Sequence, residues 1–135
     1  MIRISAEPLD VAEHEAAAAH AGAGAGVTSG GAVRDHDHER TVVSLEYEAH
    51  PSAQTVLDEV AAKFREHPDV LGLAISHRIG HLAIGEPALV AAVSCAHRRE
   101  AFVVCADLVD AVKHALPIWK RQVFADGTDE WVNCP

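Results

Sequence analysis

Aromatic side chains are scarce in this chain: two Trp, one Tyr and three Phe among 135 residues, beside a single Met. A core must therefore be assembled from Val, Leu, Ile and Ala. Long hydrophobic runs are lacking too. No stretch approaches the roughly 20 apolar residues of a membrane span, and Met1-Ile2-Arg3-Ile4-Ser5 lacks the charged-then-apolar opening of a signal peptide. Cysteine is limited to Cys95, Cys105 and Cys134, an odd number with no CxxC pair. That excludes a disulfide scaffold and fits a reduced, cytoplasmic protein. Positive charge is also thin. Eleven Lys and Arg stand against twenty Asp and Glu, a formal net charge of −9. Nucleic acid, whose affinity rests on neutralised phosphates, is not an expected partner. A chain spanning 1–135 suits one domain with a core of its own.

The few cations are gathered. Six of them (Arg78, Arg98, Arg99, Lys113, Lys120 and Arg121) fall in the second half, most around one amphipathic segment. Ala88 to Val93 reads as a buried strand leading into His97 and Arg98. Ala101, Cys105, Leu108, Val112 and Ala115 then recur at helical spacing, leaving Glu100, Asp107, Asp110 and His114 for the wetter side. Pro117 stops this helix. Its first turn offers free amides beside His97 and Arg98, a natural place for an anion. Lys113 sits near its end and Lys120 just beyond. A small cationic pocket on an acidic body suits one compact anion or the tail of a partner chain.

Elsewhere the pattern alternates strands and helices early and pairs strands by turns later. Ile2 and Ile4 flank Arg3 in a short strand, and Asp10 is a plausible N-cap for a helix running into Ala16–Ala19. Residues 21–26 alternate Ala and Gly, a low-complexity loop able to extend a poor strand. Val27 to Arg34 reads as a weak strand with a bulge or close approach at Gly30 and Gly31. Asp35 to Arg40 reads as a charged loop, and Thr41 to Tyr47 as a strand with Val43, Leu45 and Tyr47 on one face. A helix after Pro51-Ser52 has Val56, Leu57, Val60, Ala61 and Phe64 as its apolar side. Val70 to Ile79 is a long strand, and two last strands meet at a hairpin at Asp126-Gly127. The expected class is α+β with a mixed sheet and a central amphipathic helix.

Five motifs, in order and spacing, resemble the large, catalytic subunit of molybdopterin synthase, the MoaE family. They are Gly31-Ala32-Val33-Arg34-Asp35-His36, Leu45-Glu46-Tyr47-Glu48-Ala49-His50-Pro51, His77-Arg78-Ile79-Gly80, Ser94-Cys95-Ala96-His97-Arg98 and Pro117-Ile118-Trp119-Lys120-Arg121. Glu130-Trp131-Val132 also fits. The chain departs from the family at Ser29-Gly30-Gly31, where a bulky aromatic usually stands, and at Ala32, where a lysine is common. The resemblance implies an α/β hammerhead-type fold and a homodimer within a heterotetramer. Each copy would bind a small ubiquitin-like sulfur-carrier subunit whose C-terminal Gly-Gly ends in a thiocarboxylate. Two rounds of sulfur transfer would turn cyclic pyranopterin monophosphate (precursor Z) into molybdopterin, with no cofactor beyond the pterin substrate and the partner's sulfur. The resemblance places Lys113 as the principal catalytic lysine and Lys120 as the second, with Arg34, His97 and Arg98 at anion-binding positions.

Each of these residues also has a plainer reading. A lysine near a helix C-terminus is favoured by the macrodipole alone. Arg98 and Arg99 would fit ion pairs with Glu100 or Asp107, and Lys120 a solvated sheet edge. His36 and His38, flanked by Asp35, Asp37 and Glu39, fit a solvated loop or metal ligands. Cys95 and Cys105 read as small core residues, and Cys134 as a terminal thiol. The competing functions are a non-catalytic relative that only binds the carrier, and a metal-binding protein built on the histidine loop.

Overall fold

The computed structural model of the chain describes residues 1–133; Cys134 lies outside them. In chain order the elements are β1 (Ile2–Ser5), α1 (Val11–Ala18), β2 (Ala25–Ala32), β3 (His36–Asp37), β4 (Arg40–Ala49), α2 (Ala53–Arg65), β5 (Val70–Arg78), β6 (Gly80–Leu82), β7 (Pro87–Cys95), α3 (Arg98–Ala115), β8 (Ile118–Phe124) and β9 (Asp129–Asn133). They form two sheets. The first runs β1-β5-β7-β2 and the second β3-β4-β8-β9, with β6 added beside β4. Among the described residues only the β1–β5 pair is parallel, so the first sheet is mixed and the second antiparallel, as suits an α+β chain.

The first sheet sorts its residues by strand parity. Leu73, Ile75, Leu89, Ala91, Val93 and Cys95 face α2 and α3, meeting Leu57, Ala61, Ala101, Val104, Cys105, Leu108 and Val112 in the main core. Ala74 and Ala92 face the other way, onto Ala18 of α1. Full burial of a Leu or Ile is worth about 1.5–3 kcal/mol, so this layer, rather than helix propensity, holds α2 and α3 in place. α1 is begun by Asp10, whose Oδ1 accepts from the amides of Ala12 and Glu13 at 2.9 and 3.3 Å. It is tied down by His14, a fully buried histidine. His14 Nδ1 donates to the Asp10 carbonyl at 2.6 Å, which leaves Nε2 to accept from Ser76 Oγ at 2.7 Å. Gly72 allows α1 to lie this close, since a Cβ there would overlap the Ala18 carbonyl oxygen.

Gly80 carries the chain from one sheet to the other. Its φ of +91°, the left-handed region glycine occupies without cost, turns β5 directly into β6. His77 and Arg78 therefore stand where the two sheets meet. Arg78 is a structural pin there: Nε and Nη2 donate to the Ile79 and His81 carbonyls, and Nη1 lies 3.5 Å from Glu86.

Four local expectations change. Residues 35–40 form a hairpin rather than a loop, with β3 and β4 joined by His38 and Glu39, both at positive φ. A two-residue turn of this kind normally advertises itself with Asn or Gly, which is why the sequence hides it. On β4 the buried residues are Val42, Leu45 and Tyr47, while Val43 is 49% exposed. A register shift between Val42 and Ser44 against β8 bulges Val43 outward and breaks the alternation. Ala115 is exposed, its expected place taken by Leu116 as the chain leaves α3, and Val104 joins the buried stripe. The Ala/Gly segment is a turn only up to Gly24. Ala25 and Gly26 already pair with Cys95 and Ser94, and the irregularity expected at the double glycine falls between Gly31 and Ala32.

Candidate active site

β7 ends at Cys95 and α3 runs back along it, so the last turn of α3 returns to the Pro87–Leu89 end of the sheet. That end holds His77, paired in register with Leu89 and on the α3-facing side of β5. Lys113 is exposed on the last turn of α3, next to the fully buried Val112. Its charge is felt at His77. Burial and that neighbouring cation hold the imidazole down to about 4, although its bond to a backbone carbonyl works the other way. The carbonyl is that of Arg78, 2.7 Å from Nδ1.

From the second sheet, Tyr47 meets His77 edge to face. Tyr47 lies directly across β4–β8 from Lys120, and directly opposed residues of an antiparallel pair share a face. Lys120 thus points to the same side as the buried Ile118 and Gln122, whereas Trp119 and Arg121 point away. β8 runs between β4 and β9, so Lys120 is not an edge residue. Arg121 is occupied on the outer face by Asp129, Nε to Oδ2 at 2.7 Å.

Arg34 follows β2 and lies 3.7 Å from Asp37. Gln122 Nε2 donates to Asp37 at 2.8 Å. That bond, followed by the charges of His38, Lys120 and Arg34, holds the Asp37 carboxyl below its ordinary range. Asp37 is therefore the anion that relates Arg34 to Lys120. By sequence it reads as one more charge in a polar loop; the β3–β4 pairing and Gln122 turn it inward. Tyr47 and His77 stood in the motifs without a role, and nothing local marks them as neighbours.

His97 and Arg98 are at the opposite end of α3. Fifteen helical steps separate Arg98 from Lys113, about 22 Å of rise. His97 is the N-cap, its backbone extended and its side chain making no capping bond, and both residues are exposed. Among the described residues Arg98, Arg99, Lys113 and Lys120 form no ion pair within 4 Å, so the expected pairing of Arg98 or Arg99 with Glu100 or Asp107 is not made. One chain thus carries exposed cations at both ends of α3, Lys113 on the last turn and Arg98 beside His97 at the start, while Lys120 and Arg34 are related through Asp37. A cleft of about 520 Å³ between α1 and β2 is lined by none of the five.

His36 pairs with Asp35 at 2.8 Å and His38 lies 3.7 Å from Asp37, each with its own neighbour. Among the described residues no three His, Cys, Asp or Glu side chains gather as a metal site would require. Cys95 and Cys105 are unpaired and buried, and burial pushes both thiols up, away from nucleophilic thiolate. No helix of the described residues is long and apolar enough to cross a membrane.

The fold is a mixed α/β body in which, among the described residues, Lys113 and Lys120 form no ion pair and Tyr47 and His77 meet where the two sheets join. The family whose model is described as MoaE protein matches residues 4–115, and the chain belongs to that family. It is 40% identical over 132 residues to the molybdopterin synthase catalytic subunit of Nostoc sp., covering 96% of this chain and 80% of that one. Against the molybdopterin synthase catalytic subunit of Bacillus subtilis it is 40% identical over 103 residues, 76% of this chain and 65% of the relative. The crystal structure of molybdopterin synthase from Staphylococcus aureus superposes with a TM-score of 0.88 at 29% identity, covering 97% of this chain and 96% of that one.

Proposed function

We propose that the chain is the catalytic subunit of a molybdopterin synthase, a sulfurtransferase of molybdenum cofactor biosynthesis. The observation that carries this is membership of the MoaE family; the register of Lys120 with Tyr47, which meets His77, and the effect of the Lys113 charge on His77 support it. A small ubiquitin-like carrier presents its C-terminal Gly-Gly thiocarboxylate, and sulfur passes in two rounds to precursor Z, giving molybdopterin. The reaction brings two anions together, a thiocarboxylate and a cyclic phosphate. Lys113 is the principal proton donor and a point charge for the thiocarboxylate, Lys120 supports it from the sheet, and Arg34 supplies a planar fork for an anionic group. The chain needs no cofactor of its own, since the substrate is the pterin and the partner brings the sulfur. With its buried thiols unpaired, it works in the reducing cytoplasm.

The separation within α3 bears on assembly. His97 and Arg98 lie too far from Lys113 to hold the same small substrate in one copy. In this reading a second copy supplies them, so the working unit is a homodimer with composite sites. Two carriers bound to it make a heterotetramer.

The test is single-turnover formation of molybdopterin by the purified chain with precursor Z and excess thiocarboxylated carrier. Conversion is expected. Carrier binding without conversion would make the chain a non-catalytic relative, and no carrier binding would remove the reading altogether.

A further inference from the structure

The two carboxylate oxygens of Asp37 are held differently. Oδ2 accepts from Gln122 Nε2 at 2.8 Å. Gln122 is buried on β8, between β4 and β9, and only 18% of the Asp37 side chain is exposed. Oδ1 faces two side chains at longer range, Arg34 Nη2 and His38 Nε2, each at 3.7 Å. The carboxylate is thus fixed on one side and loosely engaged on the other.

Arg34 is the loose partner, with 67% of its side chain exposed. Among the described residues Asp37 is its one ion-pair partner, and its guanidinium makes no hydrogen bond. The charges nearby in the chain are engaged elsewhere. Asp35 takes His36 at 2.8 Å. Arg40, the register partner of Asp37, donates to Asp126 and Thr128 and lies over the Phe124 ring. An exposed pair at 3.7 Å falls short of a hydrogen bond and contributes little, so Arg34 can leave it at small cost. Asp37 cannot follow, because Gln122 and the hairpin keep it in place. An anion taken by Arg34 must therefore displace the carboxylate and then sit within reach of its repulsion.

We propose that Asp37 is the internal counter-ion of Arg34 and sets the affinity of its anion site: Arg34 exchanges the fixed Asp37 carboxylate for an anionic, phosphate-type group of the substrate, and the carboxylate competes with that group. This rests on the reading of Arg34 as an anion-binding residue and adds the residue that tunes it.

Asp37→Asn is near-isosteric, removes the charge and keeps a carbonyl oxygen for Gln122. Asp37→Ser removes the charge by another route, and Asp37→Glu keeps it. The probe is inorganic phosphate, titrated into the whole chain and followed by NMR at the Arg34 Nε–Hε resonance, which Arg34→Lys removes and so assigns. Melting temperatures are measured for every variant. Phosphate is expected to bind roughly three- to tenfold tighter in Asp37→Asn and Asp37→Ser than in wild type, and within about twofold of wild type in Asp37→Glu. In single turnover, the substrate concentration giving half the maximal rate should fall in Asp37→Asn by a similar factor. A residue that merely held the hairpin together would give weaker phosphate binding at a lower melting temperature. Unchanged or weaker binding in both uncharged variants would overturn the proposal, and so would an Arg34 resonance that ignores phosphate in every form. If the wild-type chain forms no molybdopterin, the proposed function fails, while the phosphate titration still decides the role of Asp37.

Discussion

The Tyr47 ring of the second sheet meets the His77 ring of the first at 84°, with 4.9 Å between centroids. Edge-to-face pairs of this kind contribute about 0.5–1.5 kcal/mol beyond their area. Here the pair also fixes how the strand facing Lys120 stands against the strand end nearest Lys113.

Lys113→Ala is expected to remove nearly all sulfur transfer and leave the fold intact, with Lys120→Ala also severely impaired. Lys113 is exposed beside a buried Val112, so its truncation opens no core cavity. The lost helix-dipole interaction is about 0.3–1 kcal/mol, whereas losing a positioned proton donor costs roughly 10²–10⁴ in rate. Lys113→Arg should not rescue fully, since guanidinium holds its proton. Single-turnover assays beside thermal melts check this, and normal turnover in a folded Lys113→Ala chain would shift the chemistry to Lys120.

Arg34→Ala and Arg98→Ala should weaken use of the phosphorylated substrate more than docking of the carrier. Each charge-assisted bond lost is worth about 1.5–3 kcal/mol. Substrate titrations and carrier binding, measured on the same variants, separate the two effects; lost carrier binding at normal substrate affinity would reject the assignment.

Mixing Lys113→Ala chains with Arg98→Ala chains should give more activity than either variant has alone. If His97 and Arg98 serve the neighbouring copy, a mixed dimer holds one site with every group intact and one lacking both. The measurement is turnover after co-refolding or co-expression. No recovery, in a sample shown to contain mixed dimers, would place the helix N-terminus outside the active site.

Stability should fall between neutral and mildly acidic pH. His77 is held from 6.5 down to about 4. Between those values the unfolded chain takes a proton that the folded site refuses. The contribution is fully present above 6.5 and is lost as pH falls toward 4, by up to about 3 kcal/mol. The depressed Asp35, Asp37 and Asp126 carboxyls act lower, below their ordinary 3.8. Urea unfolding across this range should show the slope in wild type and a flatter one in His77→Gln.

Gly72→Ala should destabilise without touching the site. The added methyl meets the Ala18 backbone carbonyl, which cannot swing aside as a side chain could. Overpacking of this kind costs about 1–3 kcal/mol. A melting temperature equal to wild type would mean that α1 yields more easily than its His14–Ser76 anchor suggests.

Features with a local cause were legible in the residues themselves. Asp10 caps α1 through its own carboxylate, and the 3.6-residue period puts Val112 inside and Lys113 outside. Asp126-Gly127 makes the last hairpin, and the stretch 4–115, which holds four of the five motifs, matches the family. Tertiary pairing decided the rest. Val43 faces solvent because β4 bulges against a strand some eighty positions later. Asp37 turns inward because Gln122 receives it. Tyr47 and His77 touch because Gly80 folds one sheet into the next. The physical reason is range. Caps, turns and helical periods act within a few residues and leave their signature there. Register, bulges and sheet junctions are chosen by burial between distant segments, where a one-residue slip exchanges inside for outside and no local composition records the choice.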